Sequence, residues 1–148
     1  MKIAVINGPN LNLLGKREPA VYGTTTLAQI ETRLRDIGSN LGCNLTFSQL
    51  NGEGEIVSAI HEMQGVADGI LINAGAYSHT SLAIRDALTG VNLPFVEVHL
   101  TNIYAREAER QHSTLAASAV AVVCGFGAMS YELALRGLAA RLSGSAGD

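Results

Sequence analysis

The sequence predicts an open α/β domain: a parallel sheet of five strands covered on both faces by helices. Three observations predict it. Short aliphatic and β-branched runs recur along the chain, apolar stripes with helical spacing lie between them, and the two patterns alternate from one end to the other. Runs that are apolar at nearly every position suit strands buried on both faces, as parallel strands are. A chain of 148 residues can bury roughly two-thirds of the surface its unfolded form exposes. One domain, residues 1–148, is therefore expected, with no repeat, linker or low-complexity segment.

Taken in order, residues 2–6 (KIAVI) form the first strand, which ends at a loop opened by Asn7, Gly8 and Pro9. Leu27, Ile30, Leu34, Ile37 and Leu41 then recur at helical spacing. Any of the three threonines 24–26 can cap that helix, and Gly42 suits its end. Residues 45–50 form the second strand, and Ile56, Ile60 and Met63 mark a second helical stripe. The third strand is residues 69–73, followed by a helix capped by Thr80 or Ser81 and running through Leu88. Residues 94–99 and 119–124 make the fourth and fifth strands. An Ala- and Leu-rich helix over residues 129–142 closes the chain, and the tail SGSAGD, residues 143–148, is expected to fray. Such alternation gives a flavodoxin-like three-layer sandwich on a five-stranded parallel sheet.

Composition narrows the partners. The net charge is −3 and no basic run is present, so the electrostatic footprint of a nucleic-acid binder is missing. The first apolar run stops at Gly8, too short for a signal segment or a membrane span, and a cytoplasmic protein with no membrane partner is expected. Cys43 and Cys124 are far apart and outside metal-ligand or redox spacings, which favours two free thiols in a reducing compartment. A small molecule is the expected ligand.

In open α/β sheets, ligands bind beyond the carboxyl ends of the strands, near the point where strand order reverses. The polar residues fall there. The first strand runs into Asn10 and Asn12, the third into Asn73, Tyr77, Ser78 and His79, and the fourth into Glu97, His99, Thr101 and Asn102. Taken singly, the asparagines also suit tight turns beside glycine and proline, and His79 also suits a helix cap. Glu97 and His99, two apart on one strand, share a face of a sheet covered on both sides. They form either a buried structural pair or a carboxylate that orients a histidine for proton transfer. A metal held by His79, Asp86, Glu97 and His99 is a third option that no spacing demands. Arg17 and Tyr22 lie between Gly15 and Gly23 on a long loop, which is either a solvated surface loop or a lid over the rim. Gly125 and Gly127 lack the position and third glycine of a dinucleotide fingerprint and suit a helix starting close to the sheet.

The segments INGPNLNLLGKREPAVYG, GILINAGAYSHTSLAIRDAL, PFVEVHLTNIYARE and RQHS, at consistent spacing over nearly the full chain, resemble type II 3-dehydroquinate dehydratase. The resemblance implies a hydro-lyase of the shikimate pathway that converts 3-dehydroquinate to 3-dehydroshikimate and water. It implies Tyr22 as the base, Arg17 as its activator, His99 as the general acid, and Glu97 as the support of His99. Asn12 would help hold the enol oxygen through a water. Asn73, His79, Arg110 and the main chain at Leu100 and Thr101 would meet the substrate's hydroxyls and carboxylate. Asp86 would come from a neighbouring subunit of a homododecamer, a tetramer of trimers. No metal or cofactor is expected. Glu109, Ala116 and Ser130 depart from the family's usual aromatic residue, serine and glycine.

The chemistry is consistent with the residue types. Removing water from a β-hydroxy ketone needs a base, a stabiliser for the enolate and an acid, and a phenol becomes a base most readily beside a cation. The alternative route through a lysine imine needs a desolvated lysine at the site. Lys2 and Lys16 are the chain's two lysines, one opening the first strand and the other on the loop, so no covalent intermediate is expected. A non-catalytic flavodoxin-like binding domain, such as one holding a flavin, is the alternative from another class; it would carry a Thr/Ser-rich phosphate loop where this chain has Asn-Leu-Asn.

Overall fold

The computed structural model describes residues 1–144. Its elements are β1 (Lys2–Asn7), α1 (Pro19–Tyr22), α2 (Leu27–Asn40), β2 (Asn44–Gln49), α3 (Glu53–Glu62), β3 (Gly69–Asn73), α4 (Leu82–Gly90), β4 (Phe95–His99), β5 (Ala121–Cys124) and α5 (Met129–Leu142). All strand pairs are parallel, in the order β2-β1-β3-β4-β5. This is the flavodoxin-like order, in which the chain leaves β1 and β3 towards opposite edges of the sheet. The expected five-stranded three-layer fold is present.

Alternation along the strands builds two cores. Ile3, Val5, Leu71, Val96 and Val98 face Ile30, Leu34 and Ile37 of α2 and Leu135 and Leu138 of α5. On the other side, Ala4, Ile6, Ile70, Ile72 and Phe95 face Ile56 and Ile60 of α3 and Ile84 and Leu88 of α4. Residues two apart therefore share a helix layer, which explains why the strands are apolar throughout.

Helix ends follow local chemistry. Thr26 is the cap of α2, accepting from Gln29 N–H while the Gln29 side chain accepts from Thr26 N–H. Ser81, not Thr80, caps α4 through Ile84 N–H. The bounds of β3 and α5 agree with the sequence reading; the other strands shift by one or two residues at their ends. Ser143 and Gly144, assigned to the tail, instead continue the last turn of α5 through bonds to Ala139 and Arg141 carbonyls; the other tail residues, 145–148, lie outside the described residues. The long loop after β1 contains a 3₁₀ turn at Leu11–Leu13 and the short helix α1. Pro19 at the helix start, with its φ already set, helps form that turn.

The point where β1 and β3 diverge is exceptionally close. Gly8 N–H donates to the Asn73 carbonyl at 2.7 Å. A methyl group on Gly8 would lie 2.6 Å from the carbonyl carbon and oxygen of Ala74, so backbone would have to move. Gly8→Ala is expected to lower stability by about 2 kcal/mol, read by thermal unfolding. An unchanged melting temperature would contradict this account.

Candidate active site

A cleft of about 610 Å³, counting its open part, lies at the carboxyl ends of β1, β3 and β4. It is lined by Arg17, Tyr22, Asn73, His79, His99, Leu100, Thr101, Arg106 and Arg110, with Pro9, Asn10 and Leu11 along one side. Eight of the eleven residues singled out in the sequence thus meet at one place. Glu97 lies beneath it, fully buried. Asn12 and Asp86 are not in the lining: Asn12 is exposed on the Leu11–Leu13 turn, and Asp86 is exposed on α4 beside Arg85.

The sheet supplies the inner wall. Glu97 and His99 share the β4 face of Phe95, with His99 Nε2 3.5 Å from Glu97 Oε2 and the two side chains almost wholly buried. A carboxylate without water needs partners. Its second oxygen, Oε1, accepts a short bond from the Ser113 hydroxyl, which in turn accepts from Leu115 and Ala116 N–H at 3.0 and 3.1 Å. Those backbone dipoles therefore reach Glu97 through Ser113, which holds the carboxylate in place beside the imidazole.

His79 stacks against His99, ring centroids 6.1 Å apart. Its Nδ1 lies 2.7 Å from the His112 carbonyl, so Nδ1 carries the proton and donates. Thr114 also bonds to the Ser78 carbonyl through its N–H and its hydroxyl. These bonds fasten residues 112–114 onto the Gly75–His79 turn, and Arg110 is brought to the rim, paired with Glu107. Burial, opposed by the His112 bond and reinforced by nearby His99, Arg110 and His112, lowers the His79 pKa below its ordinary 6.5.

The outer wall is the loop after β1. Arg17 lies over the Tyr22 ring, its guanidinium carbon 5.1 Å from the centroid, and Arg106 lies 5.5 Å from the same centroid. Both Nη atoms of Arg106 are 3.4 Å from the Tyr22 hydroxyl, and Nη1 is 3.3 Å from Thr101 Oγ1. The phenol therefore sits between two cations, one on its face and one at its oxygen. The resemblance implied Arg17 alone as its neighbour. Arg106 and Ser113 escaped the sequence reading, although both lie inside the matching segments ARE and RQHS.

Gly15 and Gly23 have φ of +88° and +81°, a region glycine adopts without penalty. A side chain at Gly15 would also lie 2.9 Å from the Thr24 carbonyl. The base of the loop is thus closed by a tight backbone contact. Gly127 N–H donates to the Leu100 carbonyl at 2.8 Å, and Ser130 accepts from Phe126 N–H, so the Gly125–Gly127 turn braces the β4 exit as α5 begins.

Among the described residues, no group of three His, Cys, Asp or Glu side chains is arranged to hold a metal ion, and no helix is long and apolar enough to cross a membrane. A parallel α/β sheet with proton-transfer and cationic groups gathered at its switch point defines the class: an enzyme acting on a small polar molecule. The family model for dehydroquinase class II matches residues 1–139. The chain belongs to that family and is a lyase. It is 58% identical over 144 residues to a 3-dehydroquinate dehydratase of Synechococcus sp. (strain WH7803), covering 97% of this chain and 98% of that one. It is 56% identical over 138 residues to the Gemmatimonas aurantiaca protein of the same name, covering 93% and 91%. Among solved structures, type II dehydroquinase from Propionibacterium acnes superposes with a TM-score of 0.89 at 42% identity, covering 93% and 95%. The enzyme from Butyrivibrio crossotus gives 0.91 at 37%, covering 97% of each chain.

The lowered His79 pKa has a consequence for stability. As pH falls, the unfolded chain takes up this proton before the folded one, so the contribution is present above about 6.5 and is lost as pH drops below it. Wild type is expected to lose melting temperature more steeply than His79→Gln on going from about pH 7 to pH 5. Parallel slopes would contradict the assignment.

Proposed function

We propose that this chain is a 3-dehydroquinate dehydratase that forms 3-dehydroshikimate and water by anti elimination through an enolate. Tyr22, as phenolate, takes the α-proton; the electrons move into the ketone to give the enolate. The enolate then expels the β-hydroxyl as His99 protonates it, so water leaves. Asn12, on the turn outside the cleft lining, helps hold the enolate oxygen through a water. Asn73, His79, Arg110 and the backbone of Leu100 and Thr101 hold the substrate's hydroxyls and carboxylate.

The observation that carries this reading is the presence in one cleft of a tyrosine flanked by two arginines and a histidine backed by a buried carboxylate. In this reading Arg17 and Arg106 face the tyrosine oxygen and ring as the proton is taken, and Glu97 stands 3.5 Å behind the imidazole that donates in the second step. The fastening of residues 112–114 to the Gly75–His79 turn supports a fixed grip by Arg110.

Among the described residues no lysine lines the cleft. Lys2 lies at the far end of β1, its N–H bonded to Asp68, and Lys16 is exposed. This supports a route without an imine. The chain acts in the cytoplasm as a homododecamer, a tetramer of trimers, with Asp86 offered to a neighbour's site. Exposure of Asp86 on α4, and of Phe126, Met129 and Leu133 beside edge strand β5, supports such an assembly.

Adding 3-dehydroquinate and following ultraviolet absorbance should reveal the conjugated enone product. Tyr22→Phe and His99→Ala are each expected to fold and to lose about 10²- to 10⁴-fold in kcat. Retention of activity by either variant rules out the assigned role. Borohydride added during turnover is expected to leave the protein's mass unchanged, and a trapped substrate adduct would mean an imine.

A further inference from the structure

Beneath the cleft, on the side of the sheet opposite Glu97, lies a second buried polar network, of which the proposed reaction uses Asn73 alone. The β1–β3 register pairs Asn7 with Asn73 at the last position of each strand, and both side chains point into the layer of α5. Tyr131, fully buried on α5, reaches between them. Its hydroxyl lies 2.6 Å from Asn7 Oδ1 and 2.9 Å from Asn73 Nδ2, and Asn73 Oδ1 lies 3.1 Å from Gly75 N.

The direction of every bond follows from one backbone group. Gly75 N–H can only donate, so the Asn73 atom facing it is the oxygen. The Asn73 atom facing Tyr131 is then the NH₂, which donates to the phenol oxygen. The phenol hydrogen is left to go to Asn7, whose facing atom must accept and is Oδ1. Asn7 Nδ2 is then turned away from Tyr131, and among the described residues it has no hydrogen-bond partner. Desolvation raises the Tyr131 pKa far above the ordinary phenol range, so its proton is always present to complete the chain.

We propose that Tyr131 is a positioning residue: it and Gly75 fix the Asn73 amide so that its remaining N–H is held ready for an oxygen acceptor on a bound ligand. An asparagine amide free to rotate offers its donor and acceptor ends almost interchangeably. Clamped at both ends, it selects ligands that present a hydroxyl or carboxylate oxygen at this place. A phenylalanine at position 131 would fill the same space without the clamp. The ligand is 3-dehydroquinate on the reading above, and only that part of the inference rests on it.

Side-chain amide spectra of protein labelled with ¹⁵N-asparagine, assigned with Asn73→Ala, test the clamp without any ligand. Wild type is expected to show two well-separated, slowly exchanging Asn73 amide protons, and Tyr131→Phe to show faster exchange with the shifts drawn together. A rapidly exchanging amide in wild type overturns the proposal even if the variant does not fold. Kinetics with 3-dehydroquinate test the consequence: Tyr131→Phe should raise KM about tenfold with kcat within about twofold. Added to Asn73→Ala, the same substitution should have no further effect on KM, because its target is gone. An unchanged KM in Tyr131→Phe, or additive effects in the double variant, overturns the proposal. Absence of wild-type turnover overturns the dehydratase reading instead, and the amide spectra then decide the clamp by themselves.

Discussion

The site depends on the close approach of β1 and β3 at their carboxyl ends. The backbones after these strands turn towards opposite edges, and the gap between them is where a ligand fits. The absence of a side chain at Gly8 lets the two exits touch, with Gly8 N–H bonded to Asn73 and no room for a methyl group against Ala74. That contact puts Asn73 at the floor of the cleft in register with Asn7. It also keeps both side chains in a layer where polar groups must find partners or cost stability.

Each face of the sheet answers that demand separately and in part, leaving Asn7 Nδ2, Glu97 Oε2 and His99 Nε2 without a hydrogen bond among the described residues. On the α5 side, Tyr131 joins the two asparagines; on the α3–α4 side, Ser113 joins Glu97 to the backbone amides of Leu115 and Ala116. The inner wall is therefore set by buried bonds between residues remote in sequence. The outer wall differs. Arg17, Tyr22 and Gly23 are held mainly by bonds to carbonyls four residues back, along with the packing of Tyr22 on the core and its contact with Arg106. Local backbone bonds at the surface open more readily than buried ones. The architecture thus combines a fixed floor with a wall that can part at lower cost, which fits the lid, of the two readings the sequence left open, better than a merely solvated loop.

Periodicity made the fold readable, because a parallel sheet covered on both faces leaves continuous apolar runs and the helices between them leave stripes. Bounds drifted where a strand meets a polar turn, as at Asn7 and Ala121, since hydrogen bonding rather than hydropathy decides those ends. The rim residues were readable by position, at strand exits. Arg106 was not: its partner Tyr22 is 84 residues away, and a lone arginine in a polar loop looks like any solvated charge. Tyr131 was hidden differently. It occupies a core position of an apolar helix, where a tyrosine reads as packing, and only the pairing of Asn7 with Asn73 gives its hydroxyl a purpose. Short α1 escaped notice because four residues cannot display a period.

The charge of the cleft is opposite to that of the chain. The whole sequence carries −3, yet Arg17, Arg106 and Arg110 converge at the rim, and the carboxylate beneath them is enclosed by His99 and Ser113. Salt screens charges over about 8 Å under physiological conditions, so a ligand at the rim responds to these arginines more than to distant acidic residues. The arginines are also partnered in advance: Glu107 meets both Arg106 and Arg110. Glu107 is nearly half exposed, at 46% for its side chain, so solvent keeps its attraction modest. On the proposed reading, a ligand carboxylate entering the less wet cleft would compete with it for Arg110. Glu107 would then orient the guanidiniums before binding, and the lower dielectric of the occupied cleft would favour the ligand.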